Sequence, residues 1–225
     1  MTTTRRPVAA CLSAAMLGAA LFAPLAALSG CELAGYVAAN EERYGSKKVP
    51  PVYTGLQGHT YAVVIQADRS TLAENPNLME HLLANINNRI AEHAGASGHI
   101  PSQQLILYMM NNARWSALSL EELAEELGGV ERLIVVDLYE YRLHEPGNRY
   151  TWDGAAQARV IVFEADDQGG ATALERDIRV TYPDDAGLTP GEIQREVITS
   201  VLARRVIDRV SWLFYEHEEA NAITY

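Results

Sequence analysis

Apolar positions recur with two different periods along this chain, and each change of period marks an element. Tyr61-Ala62-Val63-Val64-Ile65 is an unbroken apolar run rich in β-branched side chains, the pattern of a strand covered on both faces. Met79, Leu82, Leu83, Ile86 and Ile90 then recur at helical spacing across 77–92, with Pro76 suited to a first turn. His99-Ile100-Pro101 fits a brief strand end, and Ser102 fits the cap of a helix carrying Leu105, Tyr108 and Met109. The run from Leu105 to Met109 suits a buried strand equally well, so periodicity leaves that element open. Ser119-Leu120-Glu121-Glu122 has the spacing of a capping box, with Leu120, Leu123, Ala124 and Leu127 on one stripe and Gly128 placed to end the helix.

Strand character is strongest over 132–143. Glu145-Pro146-Gly147-Asn148 follows as a tight turn, then a second strand over 150–165 and a third over 173–182, giving an antiparallel meander. A two-residue turn would set Tyr141 opposite Trp152 and Tyr139 opposite Gly154. On the third strand Leu174, Ile178 and Val180 should face the core while Glu175, Asp177 and Arg179 face water, where charge discourages edge-to-edge aggregation. Thr189-Pro190-Gly191-Glu192 should open a long terminal helix with Ile193, Val197, Val201, Ile207, Val210 and Phe214 on its apolar stripe. The predicted fold is α/β: a mixed sheet of parallel core strands extended by an antiparallel meander, covered by three to four helices including the long C-terminal one.

The first thirty residues do not belong to that pattern. Arg5 and Arg6 precede an apolar stretch over 8–28, and small residues lead up to Cys31, the three-part build of an export signal. Leu28-Ser29-Gly30-Cys31 resembles the lipobox of bacterial lipoproteins. That resemblance implies cleavage before Cys31, acylation of its thiol and attachment of the chain to a membrane through lipid. Glu32 after the cysteine points, by the usual sorting pattern, to the outer membrane facing the periplasm.

The expected organisation is a signal peptide over 1–30, a lipidated tether over 31–58, one α/β domain over 59–218 and a tail over 219–225. Cleavage removes two of the 18 basic residues and leaves 16 against 29 acids, a net charge near −13. Such a balance argues against nucleic acid and against electrostatic adhesion to anionic lipid. With Cys11 removed and Cys31 acylated, no thiol remains for a disulfide or a cysteine-ligated metal.

The order of elements, with Ala62-Val63-Val64-Ile65, Ile100-Pro101-Ser102, Tyr108, Trp115 and Glu121-Glu122-Leu123-Ala124-Glu125-Glu126-Leu127-Gly128 running into Leu133-Ile134-Val135-Val136-Asp137-Leu138, resembles the α/β module of the TolB N-terminal domain and of CsgG-like envelope lipoproteins. The resemblance covers about 60–215. It implies a periplasm-facing interaction domain serving an envelope assembly, with an envelope protein or a second copy as partner. The β-propeller of TolB and the long membrane-inserting hairpins of a CsgG pore have no counterpart in this sequence, so neither activity carries over.

Catalytic chemistry is poorly represented. Glycines 95 and 98 follow a helix and do not open one, the wrong context for a phosphate loop. There is no G-x-S-x-G elbow. His93 and His99 fit no helical metal pair. No catalytic residue, metal ligand or cofactor is therefore assigned. The alternative to an interaction module is a periplasmic hydrolase using carboxylates around Asp137, with Glu140 and Asp153 across the hairpin. A further alternative is a glycan or small-ligand binder using Tyr139, Tyr141, Tyr150 and Trp152, which form the candidate interaction surface.

Overall fold

In the computed structural model the described residues are 45–166 and 169–221. They fall into a large unit, 48–217, and a small one, 45–47 with 218–221. The elements run β1 (Ser46–Val49), β2 (Thr60–Ala67), α1 (Arg69–Glu74), α2 (Leu78–His93), β3 (Gly98–His99), α3 (Ser102–Asn111), α4 (Leu120–Glu126), β4 (Arg132–Arg142), β5 (Gly154–Glu164), β6 (Ala171–Tyr182), α5 (Arg195–Ser211) and β7 (His217–Ala220). The fold is the expected mixed α/β arrangement, with the short α1 as an addition that no apolar stripe announces.

Five strands form the main sheet in the order β3-β2-β4-β5-β6; β2 runs parallel to β3 and β4, while β5 and β6 are antiparallel additions. The two unbroken apolar runs are its central strands. Residues 61–65 have no exposed surface at all, because a parallel strand flanked on both edges must also be covered on both faces. One face carries α2 and α5. Tyr61 Oη donates to the Asn87 carbonyl of α2 at 3.0 Å, and Tyr141 Oη to the Thr199 carbonyl of α5 at 3.1 Å. On the other face Ala62, Val64 and Leu133 are also fully buried, where α3 and α4 pack on β2 and β4. β6 shows the period-two alternation expected of a one-sided strand, with Ile178 and Val180 buried and Glu175, Asp177 and Arg179 exposed.

The undecided segment is helical. Pro101 precedes it and supplies the carbonyl that accepts from Gln104 and Leu105, so Pro101 occupies the cap position and Ser102 is the first helical residue, making no side-chain cap bond. The capping box of α4 is formed in both directions: Glu122 N donates to Ser119 Oγ at 3.1 Å and Ser119 N to Glu122 Oε2 at 2.9 Å. These bonds from Ser119 hold the Glu122 carboxyl below its ordinary value. Gly128, at φ +89°, turns the chain out of the helix.

Three expectations are corrected. First, the tether boundary is too late: Tyr53 and Leu56 are buried in the core, and Tyr53 Oη donates to Glu164 Oε1 at 2.6 Å. Likewise 219 and 220, expected in the tail, complete β7, which pairs with β1; Asn221 N donates to the Gly45 carbonyl at 2.9 Å.

Second, β4 and β5 are not joined by a two-residue turn. An eleven-residue connection over 143–153 separates them, so Tyr141 lies opposite Ala156 and Gly154 opposite Tyr182, with a bulge at Tyr139. The cause is long-range: Trp152 N donates to the Leu188 carbonyl at 2.7 Å and its Nε1 to the Ile193 carbonyl at 2.8 Å.

Third, α5 starts at Arg195. Thr189 donates from both its N and its Oγ1 to Glu192 Oε2, but Trp152 takes the carbonyl of Ile193 and the helix begins one residue later from Gln194. Of the expected stripe Ile207, Val210 and Phe214 are buried, while Val197 is exposed and Ile198, Leu202 and Val206 complete the buried side.

At the amino-terminal ends of β2 and β4, Glu131 clamps the two strands. Its carboxylate accepts from Thr60 N at 2.8 Å, from Thr60 Oγ1 at 3.1 Å and pairs with His59 Nδ1 at 3.0 Å. The backbone bond from Thr60, with those of His59 and the Thr60 hydroxyl, lowers the Glu131 carboxyl to about 2. A depressed folded value means stabilisation present above the unfolded carboxyl value and lost as pH falls towards about 2. Glu131→Gln is therefore expected to lower stability at neutral pH and to flatten the acid limb between about pH 4.5 and 2. Acid limbs that superimpose in urea titrations across that window would remove the clamp from the account.

Candidate functional site

The loop after β4 and the sheet surface beside it carry the aromatic and acidic residues of the candidate sites. The four aromatics of the candidate surface do not form one platform. Tyr150, at the tip of the 143–153 loop, is 85% exposed, and Tyr139, at the bulge, is 45% exposed. Tyr141 and Trp152 are both 6% exposed and belong to the core. Bulging at Tyr139 shifts the pleat by one position, so Tyr141 turns to α5 while Tyr139 stays on the open face. Burial and its bond to Thr199 make Tyr141 structural, and desolvation raises its phenol well above the ordinary range.

A polar network crosses the open face of β4 and β5. Tyr139 Oη donates to Gln157 Oε1 at 3.5 Å, and Gln157 Nε2 donates to Glu140. Arg142 then reaches Glu140 Oε1 at 2.7 Å, Asp153 Oδ2 at 2.9 Å and the Asp153 carbonyl at 2.7 Å. Desolvation opposes the Arg142 charge, but the bonds to Asp153 and Glu140 outweigh it and the guanidinium is held more firmly protonated than usual. Both carboxylates are thus committed to a cation. Asp137 is half-buried, lies opposite Arg159 on β5 and Gln66 on β2, and makes no hydrogen bond or ion pair among the described residues. The three carboxylates suggested for hydrolysis are therefore not linked in one network.

Farther across the same face, Arg159 of β5 pairs with two acids of β6, Glu175 at 3.1 Å and Asp177 at 3.0 Å. The Asp177 bond is the main reason its guanidinium is held protonated more firmly than usual. Arg179, two residues on, is exposed and has no carboxylate within reach among the described residues.

A cavity of about 640 Å³ lies between the start of α2 and the start of α5, lined by Glu74, Asn75, His81, Arg195, Glu196 and Thr199 among others. It sits beyond the carboxyl ends of β2 and β4, since α1 leaves the end of β2 and Tyr141, near the end of β4, is bonded to Thr199. Open α/β sheets commonly take ligands at that end. Sequence reasoning missed it because none of the lining residues forms a motif and the two helix starts are more than a hundred residues apart in the chain.

Three histidines stack on aromatic rings: His144 on Trp152 at 4.5 Å, His99 on Tyr61 at 5.7 Å and His217 on Trp212 at 4.4 Å. Among the described residues no group of three or more His, Cys, Asp or Glu side chains is arranged to hold a metal, and no helix is long and apolar enough to cross a membrane. Cys31 lies outside the described residues.

No family model matches the chain, and no curated protein matches it. Solved structures with a similar outline include lipoprotein GNA1162 from Neisseria meningitidis, 14% identical over 68% of this chain and 98% of that one at a TM-score of 0.44. Another is hypothetical protein CT253 from Chlamydia trachomatis, 15% identical over 68% and 98% at 0.42. A third is the PelC dodecamer from Paraburkholderia phytofirmans, 11% identical over 76% and 98% at 0.43.

Proposed function

We propose that this chain is a lipid-anchored envelope lipoprotein whose α/β body faces the periplasm and acts as a non-enzymatic binding module in an envelope assembly. The observation that carries the anchor is the sequence Leu28-Ser29-Gly30-Cys31 at the end of an apolar stretch that follows Arg5 and Arg6. Glu32 directs the anchored protein to the outer membrane. The likeness of 60–215 to TolB N-terminal and CsgG-like domains adds the expectation of an assembly or transport accessory. A binding role is favoured over hydrolysis because Glu140 and Asp153 are both committed to Arg142, leaving Asp137 without a partner acid or base to divide the work of proton transfer.

The cavity of about 640 Å³ favours a second reading, a binder of a small ligand, since its size falls in the range of drug-sized pockets and polar groups converge on it.

Metabolic labelling with palmitate tests the anchor. The wild-type protein should incorporate label and fractionate with the membrane. Cys31→Ser should be unlabelled and unprocessed at the lipobox. A Cys31→Ser variant with the label, size and membrane fraction of the wild type would overturn the reading.

A further inference from the structure

The outer edge of β6 is a twelve-residue strand that no other strand covers among the described residues. Open edges of that length invite pairing with another strand, and charge is the usual means of controlling which one. Two features delimit what this edge accepts. At its far end Arg205 donates to the Thr181 carbonyl and grips Asp184 through both oxygens at 2.7 Å, which closes the edge beyond Val180. On the open face Glu175 and Asp177 share the single cation Arg159, while Arg179 has none of its own carboxylates within reach. Each chain therefore presents one surplus negative charge and one unpaired positive charge two residues apart along the same edge.

We infer that β6 pairs with β6 of a second copy of this chain, antiparallel about a two-fold axis at Ile178, joining the two five-stranded sheets into one. Side chains opposite each other in an antiparallel pair share a face, so the centre of symmetry decides which charges meet. Centring on Ile178 sets Asp177 opposite the partner's Arg179, and this occurs twice. Arg176 then meets the partner's Val180, and Ile178 meets its counterpart on the helix-covered face. Centring on Arg176 would oppose Glu175 to Asp177 of the other chain. Centring on Arg179 would oppose it to itself, and centring on Asp177 would do the same to Asp177 at the middle of the pair although it sets Glu175 opposite Arg179. Among registers centred on 176–179, only the one at Ile178 brings opposite charges together without a like-charge pair, and it spans 176–180, all of it short of the Arg205 cap. An isologous contact of this kind closes at two copies and does not propagate. It rests on the reading of the body as a binding module and names the partner; confinement of anchored chains to one membrane surface would raise their effective concentration.

The full-length protein, purified in detergent, tests this by light scattering coupled to size exclusion, with the detergent mass subtracted. Wild type should contain two chains. Arg179→Asp should dissociate to one chain, or weaken association at least tenfold, and Asp177→Arg combined with Arg179→Asp should restore two, because the swap re-creates the opposite-charge pairs. In the wild type alone, hydrogen exchange should show those backbone amides of 176–180 that do not bond to β5 protected at high concentration and exposed on dilution. One chain at every concentration overturns the proposal, as does an Arg179→Asp variant that remains dimeric. Protection of those outward amides that does not change with dilution would assign the edge to a different strand and overturn it too. Palmitate labelling reports independently: a labelled monomer removes only the dimer, and an unlabelled dimer removes only the anchor.

Discussion

Trp152→Ala is expected to destabilise the protein by about 3–5 kcal/mol, the range for removing a buried Trp or Phe, whereas Tyr150→Ala, two residues away, should change stability by less than about 0.5 kcal/mol. Trp152 is 6% exposed, stacks on His144 at 4.5 Å and donates its indole proton to the Ile193 carbonyl at 2.8 Å. Its removal opens a cavity and leaves that carbonyl at the start of α5 without its donor. Trp152→Phe keeps most of the ring and should cost about 1–2 kcal/mol, the part due to the lost hydrogen bond and small loss of volume. Tyr150 is 85% exposed, and its side chain makes no hydrogen bond among the described residues. Urea denaturation followed by circular dichroism measures all three. A Trp152→Ala variant within about 1 kcal/mol of wild type would return Trp152 to the surface. An effect of Tyr150→Ala on association, with stability unchanged, would mark the loop tip as a contact.

Arg205→Ala should cost about 1–3 kcal/mol, as for removing a buried guanidinium and its hydrogen bonds to a half-exposed carboxylate and a backbone carbonyl. Its side chain is 8% exposed, with the guanidinium bidentate to Asp184, bonded to the Thr181 carbonyl and 5.1 Å from the centre of the Tyr182 ring. Arg205→Lys should recover little of the loss, because an ammonium cannot make the fork and the stacking contact together. The bond from Arg205 depresses the Asp184 carboxyl. That stabilisation is present above the ordinary aspartate value and lost as pH falls below it, so Arg205→Ala should be less sensitive than wild type to acid in that window. Thermal melts at neutral pH and near pH 3 measure both effects. A variant with wild-type melting at neutral pH would show that the connection after β6 is held by other contacts.

Much of the architecture is written in local pattern. The buried runs of β2 and β4, the stripe of α2, the capping box at Ser119 and the alternation of β6 could all be read directly, because burial on both faces, helical period, cap spacing and one-sided exposure each leave a signature within a few neighbours. The proposed anchor at Cys31 likewise rests on contiguous residues alone.

What required three dimensions was every choice set by distant partners. Pro146-Gly147 does read as a turn, and Asn148 N does donate to the Glu145 carbonyl at 3.0 Å. The length of the loop, however, is set by Trp152 reaching Leu188 and Ile193, some forty positions away. That reach moves the β4–β5 register and delays the start of α5. It also separates the tyrosines, since one bulged residue is enough to send Tyr139 to water and Tyr141 to the core. The cavity between the starts of α2 and α5, and the single Arg159 divided between Glu175 and Asp177, arise the same way. Periodicity records whether a side chain is buried; which neighbour buries it depends on the closure of long loops and the packing of whole elements, which no short window of sequence contains.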